Sequence, residues 1–396
     1  MFQKLVSRNE DLERLVKRGY AVAFDVTNHV VVRDIPYLDA DGGLQIGALV
    51  AKLEFIDQDR VKQTDHQVFF AGGIPHGLSG EPIPNLGGGA HQLTLSEACS
   101  DVVVQRSFSN KPRPSGMFPD FFAKFESYVA ILAGPAIDKH GVTPLTFRAV
   151  AHEGADPIFK IHDTLTSRAE ITDLVRPFKE DVIAVIGLGG TGAYVLDFLV
   201  KTPAREIRAF DLDAYHVHNA FRSPGRLNIE ELGQPKAVVY QARYENFRHG
   251  LSTSSQLIDS QSRSVLEGVT FAFVCVDKGS ARAEIFDLLM EMKIPFIDVG
   301  MGLNRKQGAL NGMLRVTYFS ADDAERVRQM GLVELADQPD DLYRANIQIA
   351  ELNAMNACLA VIRYKQLRGF YVEDAPVFHL LFGVSDMKIV SESHVP

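Results

Sequence analysis

The chain places four glycines within six residues, Gly187, Gly189, Gly190 and Gly192, directly after the apolar run Val182-Ile-Ala-Val-Ile186. The residues that follow, Ala193-Tyr-Val-Leu-Asp-Phe-Leu-Val200, read as a helix. A buried strand, a glycine turn and a helix start together make a phosphate cradle. Glycines let the backbone come close to a phosphate, and the helix start offers free N–H groups and the positive end of its dipole. About 20 residues on, Asp211 ends the run Glu206-Ile-Arg-Ala-Phe-Asp-Leu-Asp213, at the distance where dinucleotide enzymes keep an acidic residue for the ribose. The turn therefore points to a nucleotide, and an NAD-binding reading is compatible with it to this point.

The elements around the turn indicate what must position it. Residues 166–396 alternate strands (Val182–Ile186, Glu206–Phe210, Val269–Val276, Pro295–Val299) with helices (193–201, 235–247, 279–292). This alternation predicts a Rossmann-like, mostly parallel α/β sheet covered on both faces. Gly308 to Tyr318 reads as antiparallel strands, and Ala345 to Leu367 as a long helix with an apolar face for a core or a dimer seam. Residues 1–165 differ. A helical pattern over Asn9–Arg18 precedes strand-like runs at Ala21–Val26, His29–Arg33, Ala48–Phe55, Gln67–Phe70 and Asp101–Gln105, separated by Gly/Pro-rich turns. This predicts a β-rich α+β domain. A chain of 396 residues has room for these two domains.

Composition narrows the class. A hydrophobic content of 46% with 23% charged residues is ordinary for a globular protein. No apolar run reaches the roughly 18 residues of a membrane span, and the N-terminus is not patterned as a signal peptide. The net charge of −9 argues against a nucleic-acid-binding body. The expectation is a cytoplasmic protein with neither membrane nor nucleic acid as partner. Three cysteines, Cys99, Cys275 and Cys358, form no close pair, so neither a disulfide framework nor a four-cysteine structural zinc is expected.

The segment after Asp211 breaks the balance between nucleotides. Asp211-Leu-Asp-Ala-Tyr-His-Val-His-Asn-Ala-Phe-Arg222 is followed by Gly233-Gln-Pro-Lys236 and later by Asp277-Lys-Gly-Ser-Ala-Arg282. This order resembles the ThiF/MoeB and ubiquitin-activating-enzyme superfamily over about residues 166–310. The signature is a GxGGxG turn, Asp-x-Asp, Asn-x-x-Arg, Gly-x-Pro-Lys, and an Asp followed by Arg.

The resemblance implies an adenylyltransferase that uses ATP and Mg²⁺ to activate a carboxylate, with loss of pyrophosphate. In this sequence it assigns the ribose to Asp211 and the phosphates to Asn219, Arg222 and Lys236. It assigns Mg²⁺ to Asp277, and a looser match gives a phosphate-reaching role to Arg168. Asp213 either joins the nucleotide site or caps a turn, and Arg282 is either a ligand or a salt-bridge partner. His216 and His218, at i and i+2 in a loop, do not make a metal site without further ligands, and Lys278 reads as solvated. The architecture is similar to bacterial ThiF-family proteins that carry an N-terminal extension. It implies a homodimer, a ubiquitin-like protein as the carboxylate substrate, and a conjugating enzyme as partner; the extension would recognise a partner or itself be conjugating-enzyme-like.

Relatives often pass the activated group to a cysteine of their own. Here residues 300–345 hold none, Cys275 and Cys358 read as core, and Cys99, near turn signals, reads either as packed or as the one cysteine open to a thioester. The loop histidines His76 and His91 read as solvated turns. The alternatives that remain are an NAD-dependent oxidoreductase, a non-catalytic nucleotide-binding adaptor, and a relative that adenylates a small molecule or tRNA.

Overall fold

Strands with period-two and helices with about 3.6-period side-chain patterns build each of the chain's two units, Met1–Ile171 and Thr172–Pro396. The computed structural model describes all residues except 1, 26, 97–98, 151–157, 162, 164, 167–170, 338–346 and 394–396.

The first unit opens with helices Phe2–Arg8 and Glu10–Arg18. Its strands are β1 (Ala21–Asp25), β2 (His29–Leu38), β3 (Leu44–Lys52), β4 (Glu54–Phe55), β5 (Val61–Lys62), β6 (Val68–Ala71), β7 (Gly89–Leu93) and β8 (Val104–Phe108). Six of them form an antiparallel sheet in the order β1-β2-β3-β6-β8-β7, and β4 pairs with β5. One face, carrying Val30, Val32, Leu49 and Phe70, packs on Phe121, Phe125, Tyr128 and Leu132 of helix Phe121–His140. The other face carries Ala21, Ala23, Val31 and Val50. Cys99 belongs to that second core and is only 2% exposed. Of the two readings the sequence leaves open for Cys99, the packed one holds and the thioester one is corrected. Burial pushes its thiol pKa up, opposed by the adjacent Arg33, so it has neither the access nor the thiolate character of a nucleophile. His91 lies on β7 and stacks on Phe69 at 4.8 Å, whereas the sequence reads it as a loop residue.

The second unit carries β9 (Val182–Ile186), β10 (Glu206–Phe210), β11 (Leu251–Ser254), β12 (Phe271–Val274), β13 (Phe296–Lys306), β14 (Ala309–Phe319), β15 (His379–Gly383) and β16 (Lys388–Glu392). They form one sheet in the order β11-β10-β9-β12-β13-β14-β15-β16. The first five strands are parallel to one another and the last three add antiparallel pairings. Each strand of the parallel part feeds both faces. Ile183 and Val185 of β9 pack with helices Gly190–Val200 and Ala350–Leu367, while Val182, Ala184 and Ile186 pack with helix Gly279–Glu291. The helix expected over Ala345–Leu367 is described from Ala350, and Ala357, Ala360, Val361 and Tyr364 place its apolar face in the core. Among the described residues no helix is long and apolar enough to cross a membrane.

Two buried carboxylates tie this sheet to its surroundings. At the amino end of β9, Asp181 accepts hydrogen bonds from Thr270 Oγ1, Tyr364 Oη and the Arg368 guanidinium. On β13, Asp298 is fully buried between Arg282, at 3.0 Å, and Arg315, at 2.6 Å. Arg282 also donates to the carbonyls of Val276 and Glu334, which makes it a structural clamp. Removing one partner of such a cluster leaves buried charges uncompensated. Asp298→Ala is expected to lower unfolding free energy by about 3–5 kcal/mol, measured by chemical denaturation.

Candidate nucleotide site

The parallel strands run β9, β10, β11 to one side and then return to β12 and β13 on the other, so the strand order reverses between β9 and β12. In open α/β sheets the crevice outside the carboxyl ends at such a reversal is where ligands bind. The glycine turn follows β9, Asp211 follows β10, and Asp277 lies three residues past the end of β12.

Three of the glycines are required by neighbours rather than by flexibility alone. Gly187 holds φ +94°, and a Cβ there would sit 2.8 Å from the Cys275 carbonyl oxygen. A Cβ on Gly192 would collide with the Gly187 carbonyl, and one on Gly190 with the Asn353 side chain. Gly189 is different: among the described residues a Cβ there meets nothing within 4 Å. The turn is thus closed against the protein on three sides and open at Gly189, at the start of helix Gly190–Val200. An approaching anion meets that opening together with the dipole.

Asp211 is the hub of the adjacent loops. Its Oδ2 accepts from the Leu188 N–H at 2.6 Å, inside the glycine turn, and its Oδ1 from the Asp213 N–H at 2.8 Å. Both oxygens also accept from Lys236 Nζ, at 3.2 and 3.4 Å. Lys236 is 5% exposed and donates again to Asp213 Oδ2 at 2.8 Å. That bond holds the Asp213 carboxyl below the usual carboxylate range. Asp213 therefore belongs to the cluster, as the residue that shares Lys236 with Asp211. The backbone repeats the link, since the Lys236 N–H donates to the Asp213 carbonyl at 2.9 Å.

Asn219 and Arg222 come from the loop after β10. Asn219 is buried, and its Oδ1 accepts the His216 N–H at 2.8 Å, so its carbonyl oxygen shapes the loop. Arg222 is half-buried, and among the described residues its Nε is a buried donor without a hydrogen-bond partner. Burial lowers its pKa, while the charge of Asp277 acts in the opposite sense. His218 is lowered first by burial and then by the charges of Arg222, His216 and Lys236, which marks the region as electropositive. Asp277 and Lys278 are exposed. Arg168 lies outside the described residues.

Cys275 follows β12 immediately and sits under the glycine turn, where burial raises its thiol pKa strongly. Burial also raises Cys358. Among the described residues no group of three or more His, Cys, Asp and Glu is arranged to hold a metal ion.

The sequence reading missed Asn353. It is fully buried on helix Ala350–Leu367, accepts from Thr191 Oγ1 at 2.9 Å and donates to the Arg222 carbonyl at 3.3 Å. It therefore joins the start of the turn's helix to the loop that carries Arg222. The available signal was a polar residue on the core-facing stripe of an apolar helix, repeated three positions on by Asn356, whose Nδ2 donates to the Gly300 carbonyl.

The ThiF family model matches residues 171–331, and a domain of unknown function (DUF6791) matches residues 10–164. No curated protein matches the chain. Among solved structures, PaaA is 16% identical with a TM-score of 0.42, over 56% of this chain and 66% of its own. MccB from E. coli, solved with ATP, is 14% identical with a TM-score of 0.42, over 56% of this chain and 65% of its own. The tRNA N6-threonylcarbamoyladenosine dehydratase TcdA from E. coli, solved with AMP, is 18% identical with a TM-score of 0.40, over 52% of this chain and 92% of its own. The chain thus spans just under two thirds of the length of the first two.

The two ends of the turn respond oppositely to the same substitution. Gly192→Ala forces a methyl against backbone and is expected to destabilise the fold by about 1–3 kcal/mol. Gly189→Ala, at φ −70° with open space, is expected to stay within about 0.5 kcal/mol of the wild type in the same denaturation experiment.

Proposed function

We propose that the ThiF-family domain at residues 171–331 transfers AMP from ATP to a substrate carboxylate. The observation that supports this reading most is the convergence at one strand reversal of an open glycine turn, the Asp211–Lys236–Asp213 cluster and the underused guanidinium of Arg222. An NAD site uses the turn and Asp211 but has no need of two further cations.

In this mechanism the phosphates lie over Gly189 and the free N–H groups of the helix start. The ribose hydroxyls donate to Asp211. The acceptor positions of that carboxylate are taken by Leu188, Asp213 and Lys236, so the sugar displaces Lys236 Nζ, which turns to the phosphates. Arg222 contacts the same phosphates through the donor that is now unpartnered. A substrate carboxylate oxygen attacks the α-phosphorus. The bond to the bridging oxygen breaks, and its electron pair leaves with pyrophosphate. Charge on the transferring group is met by Arg222 and by the Lys236 ammonium that the ribose releases, so catalysis is mainly positioning and electrostatics. Mg²⁺ would be held by the exposed Asp277 together with the phosphates, since this ion is usually bound through one or two carboxylates plus substrate oxygens. It would neutralise phosphate charge there.

The substrate we propose is the C-terminal glycine of a ubiquitin-like protein, with the first unit recognising a partner. None of Cys99, Cys275 and Cys358 is placed as a nucleophile, so the acyl adenylate is the product of this chain and a partner such as a conjugating enzyme takes the acyl group.

Carboxylate-dependent exchange of labelled pyrophosphate into ATP tests the proposal. With a cognate ubiquitin-like protein ending in glycine the wild type is expected to exchange, and Asp277→Asn and Lys236→Ala to fall by about 100-fold or more. Gly189→Ala is expected to weaken ATP binding while leaving the fold intact. Normal ATP binding with no exchange across a panel of such proteins would overturn the reading.

A further inference from the structure

The first unit holds a group of polar side chains that the nucleotide chemistry does not use. His66 stands just before β6 and Ser109 just after β8, and the antiparallel pairing Val68↔Phe108 brings the two together. His66 Nε2 lies 2.9 Å from Ser109 Oγ. On the far side of the ring, Nδ1 lies 3.5 Å from Asp65 Oδ1. A carboxylate on the Nδ1 side keeps the ring proton there, so Nε2 accepts from the serine hydroxyl. Serine, histidine and aspartate in that spatial order are the nucleophile, base and orienting carboxylate of acyl transfer. His66 and Ser109 are both half-buried, so the pair is supported and still reachable.

Helix Phe121–His140 holds this pair in place. Tyr128, fully buried, donates from Oη to the His66 carbonyl at 2.7 Å and accepts the Asn110 N–H at 2.8 Å. One side chain thus fixes the backbone on both sides of the Ser109–His66 contact. Lys124, only 1% exposed, donates to the Asp65 carbonyl at 2.6 Å, and the Gln67 N–H donates to Asp65 Oδ1 at 3.0 Å. The Ser109 N–H donates to the Leu86 carbonyl at 2.8 Å, which sets Gly87 and Gly88 beside the serine. Both glycines have positive φ, +63° and +73°, and a Cβ on Gly87 would stand 3.3 Å from Ser109 Cβ. Among the described residues, the N–H groups of Gly87 and Gly88 donate to no protein acceptor. Two free backbone donors beside a serine are what an oxyanion needs.

We propose that Ser109, His66 and the N–H groups of Gly87 and Gly88 form a second active site, which hydrolyses an ester or amide carbonyl of an extended peptide. Ser109 Oγ adds to the carbonyl carbon as its proton passes to His66 Nε2. The carbonyl oxygen becomes an oxyanion and accepts from Gly87 and Gly88. The bond to the leaving group then breaks; its electron pair departs with that group, which takes the proton from His66. Water adds to the acyl-serine in the same way and releases the carboxylic acid and Ser109. Asp65, Tyr128 and Lys124 are positioning residues. The peptide preference follows from β7, which bonds to β8 on one side only and exposes Gly89–Gln92. An extended chain pairing with that free edge runs directly toward the two glycine donors. The site requires no nucleotide and is independent of the adenylation proposed above.

A fluorophosphonate probe, which phosphonylates activated serines, tests this on the full chain without ATP, followed by intact mass and peptide mapping. The wild type is expected to gain one adduct, on Ser109, and to hydrolyse a peptidyl p-nitrophenyl ester. Ser109→Ala is expected to abolish both. His66→Ala is expected to slow labelling by about 100-fold or more while circular dichroism stays unchanged. Asp65→Asn is expected to lower kcat by at least about tenfold with KM unchanged, as loss of orientation alone should. A wild type without a Ser109 adduct would overturn the proposal. So would labelling that His66→Ala leaves at full rate, or ester hydrolysis that survives Ser109→Ala.

Discussion

The site depends on one buried carboxylate. Asp211 binds the Leu188 N–H of the glycine turn, the Asp213 N–H of its own loop and the ammonium of Lys236 at the start of another helix. The turn after β9, the loop after β10 and the start of helix Lys236–Tyr244 are thereby held to one point at the carboxyl edge of the sheet. A carboxylate removed from water needs such partners, because an unpaired buried charge is costly. That need makes the cluster exchangeable in the proposed reaction: a ribose donating to Asp211 would substitute for Lys236 and free its cation for the phosphates. In the proposed reaction, the bonds that stabilise the empty site are the ones the substrate takes over.

Around this hub the packing leaves few alternatives. Gly187 and Gly192 fill their space with backbone, Gly190 abuts Asn353, and only Gly189 opens outward. Asn353 extends the constraint to a helix far along the chain and, through the Arg222 carbonyl, to the loop that carries Arg222. Behind the crevice, Arg282, Asp298 and Arg315 form a second charged cluster that fixes the start of helix Gly279–Glu291 against β13. Asp277 is thus presented from a rigid base, although it is itself exposed.

Much of this was legible in the sequence because the signals are local. The run Val182–Ile186 is apolar at every position, as a strand buried on both faces must be, and the glycines after it mark a close approach. Asp211, Lys236 and Asp277 stand in an order that a family pattern resolves. What was not legible depends on contacts distant in sequence. Asn353 reaches Thr191 and Arg222 across more than a hundred residues, and no spacing rule connects them. Cys99, near turn signals, is open between packing and reactivity in the sequence, and only the core it shares with Ala21, Ala23, Val31 and Val50 decides for packing. Arg282 was open between ligand and strut until Asp298 was seen beneath it.

Competition between ATP and NAD for the full chain, read by isothermal titration calorimetry, tests the central claim most directly. The account predicts that ATP with Mg²⁺ binds and that NAD does not displace it at comparable concentration. It also predicts that Arg222→Ala weakens ATP by at least about tenfold, as loss of a charge-assisted phosphate contact should. NAD binding in preference to ATP, with Arg222→Ala without effect, would contradict it.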